Sequence, residues 1–308
     1  MSRPRLVLIA NPISGGGRAR AIAERARDAM IGEGVDVALV VPGNVGAMRE
    51  SVAEAVESAP AGVVACGGDG TVHLVLQGAA PSSTAMAIIP AGTGNDVARS
   101  LGIERKDHDR VARVIASSVL AGRTRAIDLT RIAHGSRQVW SLGVTSTGLD
   151  SAVNERANRT RRFNGTTRYV LALLAEMRSF QTYEYAVTVD GERMDGPATL
   201  IAIGNGSSYG GGMRICPAAS MTDGVLDITW VDRASRTTIL RVFPRIFSGT
   251  HVQHPAVRVL QGRTITVEAT GPVVYADGER VGDLPIIATV MAGGLRMFDQ
   301  REGSPSAS

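Results

Sequence analysis

The stretch from Val63 to Thr71, Val-Val-Ala-Cys-Gly-Gly-Asp-Gly-Thr, decides how the rest of the chain is organised. Its first half is apolar and β-branched, which is typical of a buried strand. The strand ends in a turn of three glycines around one carboxylate, and glycine allows a ligand to approach the backbone closely. Thr71 begins a predicted helix over residues 72–77, whose amino end favours an anion. The pattern predicts a phosphate-binding loop, although a plain turn with Asp69 as a local cap fits the same residues.

Strand and helix patterns alternate through the first third of the chain. Strands are predicted at residues 6–10, 35–41, 62–66 and 85–89, and helices at 18–32, 47–58, 96–101 and 107–121. Such alternation predicts an open α/β domain with a parallel sheet, whose ligands bind at the carboxyl ends of the strands. Three glycine-rich segments, 14–17, 67–70 and 92–94, follow predicted strands and are therefore expected at that edge.

Extended segments dominate after residue 124, with turn signals such as Asp-Gly between them. Two helical patterns interrupt them, near 166–180 and 235–247. The sequence thus predicts two domains: an α/β domain over residues 1–124, possibly completed by 292–302, and an antiparallel β-sandwich over 125–291. We expect the active site in the cleft between them.

Composition restricts the classes of protein to consider. The chain has 308 residues, 44% hydrophobic and 20% charged, which is typical of a globular protein. Two cysteines, Cys66 and Cys216, make no disulfide framework, and no apolar run is long enough for a membrane span, so we expect a cytoplasmic protein. The net charge of +4 fits acidic ligands or an anionic surface.

Two further loops resemble the first in their chemistry. Residues 90–96 read Pro-Ala-Gly-Thr-Gly-Asn-Asp after a predicted strand, with Asn95 or Asp96 as the expected helix cap. Residues 11–18 read Asn-Pro-Ile-Ser-Gly-Gly-Gly-Arg, which offers backbone amides and a guanidinium to a phosphate. Neither loop is a Walker motif, because no Gly-Lys-Ser/Thr follows.

Taken together, the three loops resemble the catalytic domain of the diacylglycerol kinase family, which includes sphingosine kinases and soluble bacterial lipid kinases. The resemblance implies ATP and Mg²⁺ as cofactors, with Asp69 among the catalytic residues. It also implies a set of nucleotide-binding residues: Asn11, Ser14, Gly15, Gly16, Gly68, Asp69, Gly70, Thr71, Thr93 and Asp96.

The resemblance extends into the second domain. There it implies a structural Mg²⁺ site formed by the carboxylate of Asp223 and the backbone carbonyls of Ser220 and Val225, although an ordinary Asp-Gly hairpin explains the same residues. It also implies that Asp277 or Glu279 acts as the general base. The same Asp-Gly-Glu triplet occurs at 190–192, which we interpret as a surface hairpin.

The first hypothesis is an ATP-dependent lipid kinase that phosphorylates a primary hydroxyl of a lipid such as diacylglycerol or a sphingoid base. NAD kinase is the second, and a non-catalytic nucleotide- or lipid-binding regulator is the third, because His73-Leu74 replaces an Asn-Glu pair frequent in the family.

Predicted partners follow from this hypothesis. The expected substrate is a lipid at the inner membrane face, reached by transient contact of Arg156–Arg168 with anionic lipid. An exposed sheet edge is compatible with a homodimer, and low aromatic content argues against nucleic acid. His251 and His254 are expected at the surface.

Overall fold

The computed structural model describes residues 3–159, 165–176 and 181–301. Two compact units divide the chain: Met1–Ile127 with Gly293–Ser308, and Asp128–Ala292. The sequence placed the division after residue 124 and the return to the first unit at residue 292. We refer to these bodies as unit one and unit two.

Unit one contains a parallel sheet in the strand order β4-β3-β1-β2, with residues 293–298 of the last strand parallel to β4. The side chains of β3 and β4 are buried along their whole length, as expected for strands covered on both faces. The elements of this unit are β1 (Arg5–Ala10), α1 (Ser14–Gly17), α2 (Ala19–Gly32), β2 (Asp36–Val40), α3 (Val45–Glu57), β3 (Gly62–Gly67), α4 (Asp69–Ala79), β4 (Ala85–Pro90), α5 (Asp96–Ser100) and α6 (His108–Leu120).

Local sequence explains the longer helices of unit one. Asn44 caps α3 by accepting a hydrogen bond from the Ala47 amide at 2.9 Å, and Asp107 caps α6 through the Arg110 amide at 2.9 Å. Helix α6 then buries Val111 and Ile115, four residues apart on one face. Each such side chain contributes about 1.5–3 kcal/mol when fully buried.

The C-terminal segment belongs to unit one. The side chain of Gln300 bonds both backbone groups of Ile88 in β4, accepting from the amide at 2.9 Å and donating to the carbonyl at 2.7 Å. Ser118 donates to the Asp299 carbonyl at 2.6 Å. The amide side chain thereby continues the hydrogen bonding of the sheet edge beyond the last strand.

Unit two is antiparallel. Strand β9 pairs with β7, β8 and β10, and β12 pairs with β8 and β15. Its elements are β5 (Thr124–His134), β6 (Arg137–Ser141), β7 (Val144–Gly148), α7 (Leu149–Arg159), α8 (Gly165–Glu176), β8 (Tyr183–Val189), β9 (Glu192–Gly204), β10 (Leu226–Asp232), α9 (Arg236–Ser248), a 3₁₀ turn (Thr250–Gln253), β11 (Val257–Gly262), β12 (Thr264–Glu268), β13 (Val273–Ala276), β14 (Glu279–Asp283) and β15 (Ile286–Phe298), with β5 and β15 each divided between the units.

The core of unit two is a cluster of alternate strand residues around Tyr185 and Trp230, whose rings meet edge to face at 6.5 Å between centroids. Alternation places these side chains on one face of each strand. The predicted fold class, a parallel α/β domain followed by an antiparallel β-sandwich, is confirmed.

Three local predictions need correction. Helix α4 begins at Asp69, not at Thr71, because Gly68 is extended and its carbonyl accepts from the Thr71 amide at 2.9 Å. The sequence also predicts one strand over residues 137–144, where the structure has two, β6 and β7. Helix α7 was not predicted; Leu149 and Val153 are its only large apolar residues, so its periodic signal is weak.

Candidate nucleotide and lipid sites

The two glycine turns after β3 and β4 touch each other through bare backbone. A Cβ on Gly92 would lie 2.3 Å from the Cα of Gly68, so only glycine fits there without a shift. The Ala91 amide also donates to the Gly67 carbonyl at 2.8 Å. Neighbouring parallel strands thus bring two of the three predicted loops together at their carboxyl ends.

The loop after β1 joins the same cluster. Gly15 has φ +60°, and a Cβ there would approach the Ala91 carbonyl oxygen to 2.3 Å. The hydroxyls of Ser14 and Thr71 lie 3.4 Å apart, and the Asn11 amide donates to the Cys66 carbonyl at 3.2 Å. All three loops therefore meet, as the alternating pattern predicts.

Gly68 holds the N-cap position of α4, and the carboxylate of Asp69, in the first turn, reaches another helix. The Oδ1 of Asp69 accepts the Val97 amide at 3.0 Å, so this carboxylate satisfies an amide in the first turn of α5. The expected cap, Asn95, instead folds back onto Gly92, accepting from its amide at 3.0 Å and donating to its carbonyl at 2.9 Å. Asn95 occupies the N-cap position of α5, as predicted, but its side chain makes no capping hydrogen bond, and Asp69 from another loop accepts the Val97 amide instead.

The predicted nucleotide residues differ in their accessibility. Thr71 and Asp96 are 2% and 5% exposed, and Asp96 forms an ion pair with Arg99, so neither side chain is presented to solvent. Gly16 and Thr93 are exposed, and nothing lies within 4 Å of where a Cβ of Gly16 would be. The surface open to a phosphate is thus mostly backbone, with Thr71 and Asp96 holding the loops behind it.

The 277–279 turn lies in unit two. Asp277 has φ +53°, and its carboxylate accepts from the Ser141 hydroxyl at 2.8 Å, the Gly143 amide at 2.8 Å and the Leu142 amide at 3.2 Å. These donors fix the carboxylate against residues 141–143. Glu279, two residues on, is exposed.

The loop predicted to hold structural Mg²⁺ is rich in oxygen. Asp223 is exposed, the Asp128 carboxylate accepts from the Gly224 amide at 2.7 Å, and burial together with Asp223 raises the pKa of Asp227. One carboxylate oxygen of Asp227 is buried and has no partner among the described residues. Acidic oxygens of this kind fit a hard cation, although no cluster of three or more His, Cys, Asp or Glu side chains in the described ranges is arranged to hold a metal.

Unit two contains an apolar cavity of about 70 Å³ that the sequence did not predict. This is several times the space that one water molecule needs. Side chains from three helices line it, among them Leu149 of α7, Leu173 of α8, and Ile239, Val242, Phe243 and Ile246 of α9. The buried carboxylate of Asp150 also lines the cavity and accepts hydrogen bonds from Ser146 and Asn154.

His251 also lines this cavity and is 1% exposed, so its predicted surface position was wrong. Its Nε2 donates to the Ile215 carbonyl at 3.1 Å, and burial lowers the pKa of the ring. Its Nδ1 has no partner among the described residues. His251 lies in a 3₁₀ turn, Thr250–Gln253, that directs its side chain into the cavity. The local sequence does not predict this burial, because the turn has no apolar periodicity of its own.

Two other predictions can be placed. Both cysteines are free and buried, and burial raises the pKa of each thiol to about 12, so neither is poised to react. Residues 160–164 of the Arg156–Arg168 segment, with Arg161 and Arg162, lie outside the described residues. Arg156 itself donates to the Glu176 carboxylate at 2.6 Å.

Similarity to known proteins identifies the family. The diacylglycerol kinase catalytic domain matches residues 5–132, and the YegS C-terminal NAD kinase beta sandwich-like domain matches residues 143–299. A protein named diacylglycerol kinase from Mycobacterium tuberculosis (strain ATCC 25618 / H37Rv) is 39% identical over 97% of this chain and 96% of its own length. The chain belongs to the diacylglycerol kinase family.

More distant relatives agree. A Stenotrophomonas maltophilia (strain K279a) protein named "Probable lipid kinase YegS-like" is 27% identical over 92% of this chain and 95% of its own. A crystal structure of a diacylglycerol kinase from Bacillus anthracis str. Sterne shares the fold, with a TM-score of 0.73, 20% identity and 97% of each chain covered. The family and its members' names confirm the predicted enzyme class, a lipid kinase. None of the helices in the described ranges has the length and apolar character of a membrane span.

Proposed function

We propose that this lipid kinase transfers the γ-phosphate of ATP to a primary hydroxyl of a lipid such as diacylglycerol or a sphingoid base. The observation that carries the proposal is the meeting of three strand-end loops around Asp69, which supports phosphate binding by backbone amides. Phosphoryl transfer depends mainly on positioning and on neutralising charge, and such loops supply both.

In unit one, the exposed loop at 14–17 and the amino end of α4 would receive the phosphates, with Thr93 beside them. The Val97 amide donates to the carboxylate of Asp69 and so holds it beside the loops. This carboxylate would hold Mg²⁺ through water, and Mg²⁺ would supply charge neutralisation on the β- and γ-phosphates.

In unit two, the apolar cavity would take part of an acyl chain, and Asp150 would orient the polar end of the lipid. Three neighbouring helices contribute aliphatic and aromatic side chains to this cavity, while Asp150 is the acidic residue among its lining groups. A combination of apolar walls and a few placed polar groups is typical of sites for amphipathic ligands.

The chemical step forms a bond between the lipid oxygen and the γ-phosphorus and breaks the bond from that phosphorus to the β–γ bridging oxygen. ADP leaves, and the proton of the lipid hydroxyl passes to a carboxylate, Asp277 or Glu279. The Ser141 hydroxyl and the amides of Leu142 and Gly143 already donate to Asp277, whereas Glu279 is exposed.

Glu279→Gln separates these two candidates, because it removes a base without changing the contacts of Asp277. If Glu279 is the base, kcat falls about 10²–10⁴-fold. Full retained activity would mean that Asp277 accepts the proton. The pH dependence of kcat/KM for Glu279→Gln would then report the pKa of Asp277.

The function itself is tested with γ-labelled ATP, Mg²⁺ and a total lipid extract. We expect a labelled lipid that chromatography identifies, and no labelled lipid with Asp69→Asn. A parallel incubation with NAD tests the alternative kinase, since NADP without labelled lipid would overturn the proposal. Binding of nucleotide without turnover on any lipid would favour the non-catalytic regulator.

A further inference from the structure

Helix α9 carries large apolar side chains beyond the face that lines the cavity. Its inner residues Ile239, Val242, Phe243 and Ile246 line the cavity of unit two, yet no residue of the helix is fully buried. On the outer side, Leu240 is 46% exposed and Phe247 is 39% exposed. These two residues are seven apart, so they lie on the same side of the helix, about two turns from each other.

Arginines flank this exposed apolar strip. Arg241 and Arg245 are exposed, and neither has an acidic partner in the described parts of the chain. Between Asp232 and Glu268 the sequence contains no acidic residue and six arginines, at positions 233, 236, 241, 245, 258 and 263. Helix α9 therefore combines exposed large apolar side chains with unneutralised positive charge.

The exposed strip is continuous with the cavity lining. The ring of Phe247 packs edge to face against Phe243, with 5.8 Å between centroids, and Phe243 lines the cavity. Helix α8 repeats the arrangement: Leu173 lines the cavity, while Leu171 and Leu174 are 43% and 50% exposed. Exposed apolar groups thus surround the helices that cover the proposed acyl site.

We propose that the outer face of α9 docks on an anionic lipid bilayer, with Leu240 and Phe247 entering the acyl boundary and Arg241 and Arg245 contacting headgroup phosphates. A basic helix with an apolar strip lies in the plane of such an interface. Charge complementarity selects the bilayer over a second copy of this chain, because two such faces would bring their arginines together. The docking itself does not depend on the proposed function. Only its purpose, the delivery of a lipid to the cavity, rests on that function.

Vesicle co-sedimentation without ATP or substrate tests the docking. The probes are vesicles of phosphatidylcholine alone and of phosphatidylcholine with phosphatidylglycerol. We expect the wild type to bind the anionic vesicles. Arg241→Gln/Arg245→Gln should weaken that binding about 30-fold, since each cation near a charged surface contributes about fivefold. Leu240→Ser/Phe247→Ser should weaken it at any salt concentration, because apolar insertion is not screened.

Helix α6 provides the matched control. It carries an exposed arginine and an exposed leucine, Arg113 and Leu120, in unit one. Arg113→Gln/Leu120→Ser should leave vesicle binding unchanged. Circular dichroism and turnover of a monomeric short-chain diacylglycerol establish that each variant is folded, and they report on the kinase separately from docking.

Three outcomes would overturn the docking proposal. The wild type does not bind anionic vesicles, the α9 variants bind them as well as the wild type does, or the α6 control variant loses as much vesicle binding as the α9 variants. Sedimentation velocity adds a fourth, a wild-type dimer that Leu240→Ser/Phe247→Ser dissociates, which would assign this face to a second copy. A failed kinase proposal looks different, because vesicle binding would persist while no lipid is phosphorylated.

Discussion

Unit one builds its candidate site from backbone, whereas unit two builds its cavity from side chains. In unit one, Gly68 and Gly92 touch through their Cα atoms, and short loops after successive strands supply the rest. In unit two, residues as far apart as Leu149 and Val257 line one cavity. A phosphate site can therefore be built from a few short loops that are each recognisable in the sequence, while an acyl site is assembled from distant apolar positions that resemble ordinary core.

The largest expected effect is on turnover in unit one. Asp69→Asn keeps an oxygen that can accept from the Val97 amide, so the free energy of unfolding should change by less than about 1 kcal/mol. Loss of the negative charge should lower kcat about 10³-fold. Steady-state kinetics and urea unfolding measure both quantities.

Asp69→Ala is the companion variant, because it also removes the acceptor and should cost about 1–3 kcal/mol of stability. An Asp69→Asn enzyme with normal kcat would show that this residue only caps α5.

A second prediction concerns the backbone contact that unit one requires. Gly92→Ala places a Cβ 2.3 Å from the Cα of Gly68 and should lower the free energy of unfolding by about 2–4 kcal/mol. Gly16→Ala is the control: its Cβ meets nothing within 4 Å, so only its positive φ opposes the change, at about 1 kcal/mol. Chemical denaturation of both variants measures the difference. Equal losses would mean that the two turns do not need to touch.

The third prediction moves to the side-chain site of unit two. Val242→Phe adds volume to the cavity wall and should raise KM for a long-chain diacylglycerol about 10-fold, with KM for ATP unchanged. Val259→Phe, at a position 44% exposed on β11, is the matched control and should leave both KM values unchanged. Comparable effects of the two variants on the long-chain substrate would remove the cavity from lipid binding.

The smallest effect is on pH-dependent stability. Burial holds the folded-state pKa of His251 below its unfolded value near 6.5, so protonation favours the unfolded state. The contribution of His251 is fully present above about pH 6.5 and is lost as the pH falls below that value.

His251→Gln should reduce this loss, because its amide can still donate to the Ile215 carbonyl but does not titrate. Urea unfolding at several values between pH 8 and pH 5 compares the two proteins. Identical slopes would mean that the pKa of His251 is the same in the folded and unfolded states.

The contrast between the loops of unit one and the cavity of unit two also explains which features could be predicted from the sequence. Glycines at strand ends and an alternating strand-helix pattern are local signals, and they predict the parallel sheet, the three loops and the position of Asp69. The hydrogen bond from the Val97 amide to Asp69 joins residues 28 positions apart, so local sequence patterns do not predict it.

Unit two was predictable only as a class of fold. Asp277 could be selected through its family resemblance, but its bonds to residues 141–143 depend on pairing between β13 and β7. His251 is polar in sequence and buried in space because the turn after α9 directs it inward. The cavity has no signal at all in the sequence, since its lining residues follow the periodicity of any buried helix or strand.

Hydrogen–deuterium exchange is the most direct test of this division of roles, measured with a non-hydrolysable ATP analogue and Mg²⁺ and, separately, with a long-chain diacylglycerol. We predict that the nucleotide protects amides at 14–17, 67–72 and 92–97 and leaves 236–248 unchanged, while the lipid protects 236–248. Protection of α9 by the nucleotide, with none at the three glycine loops, would contradict the account.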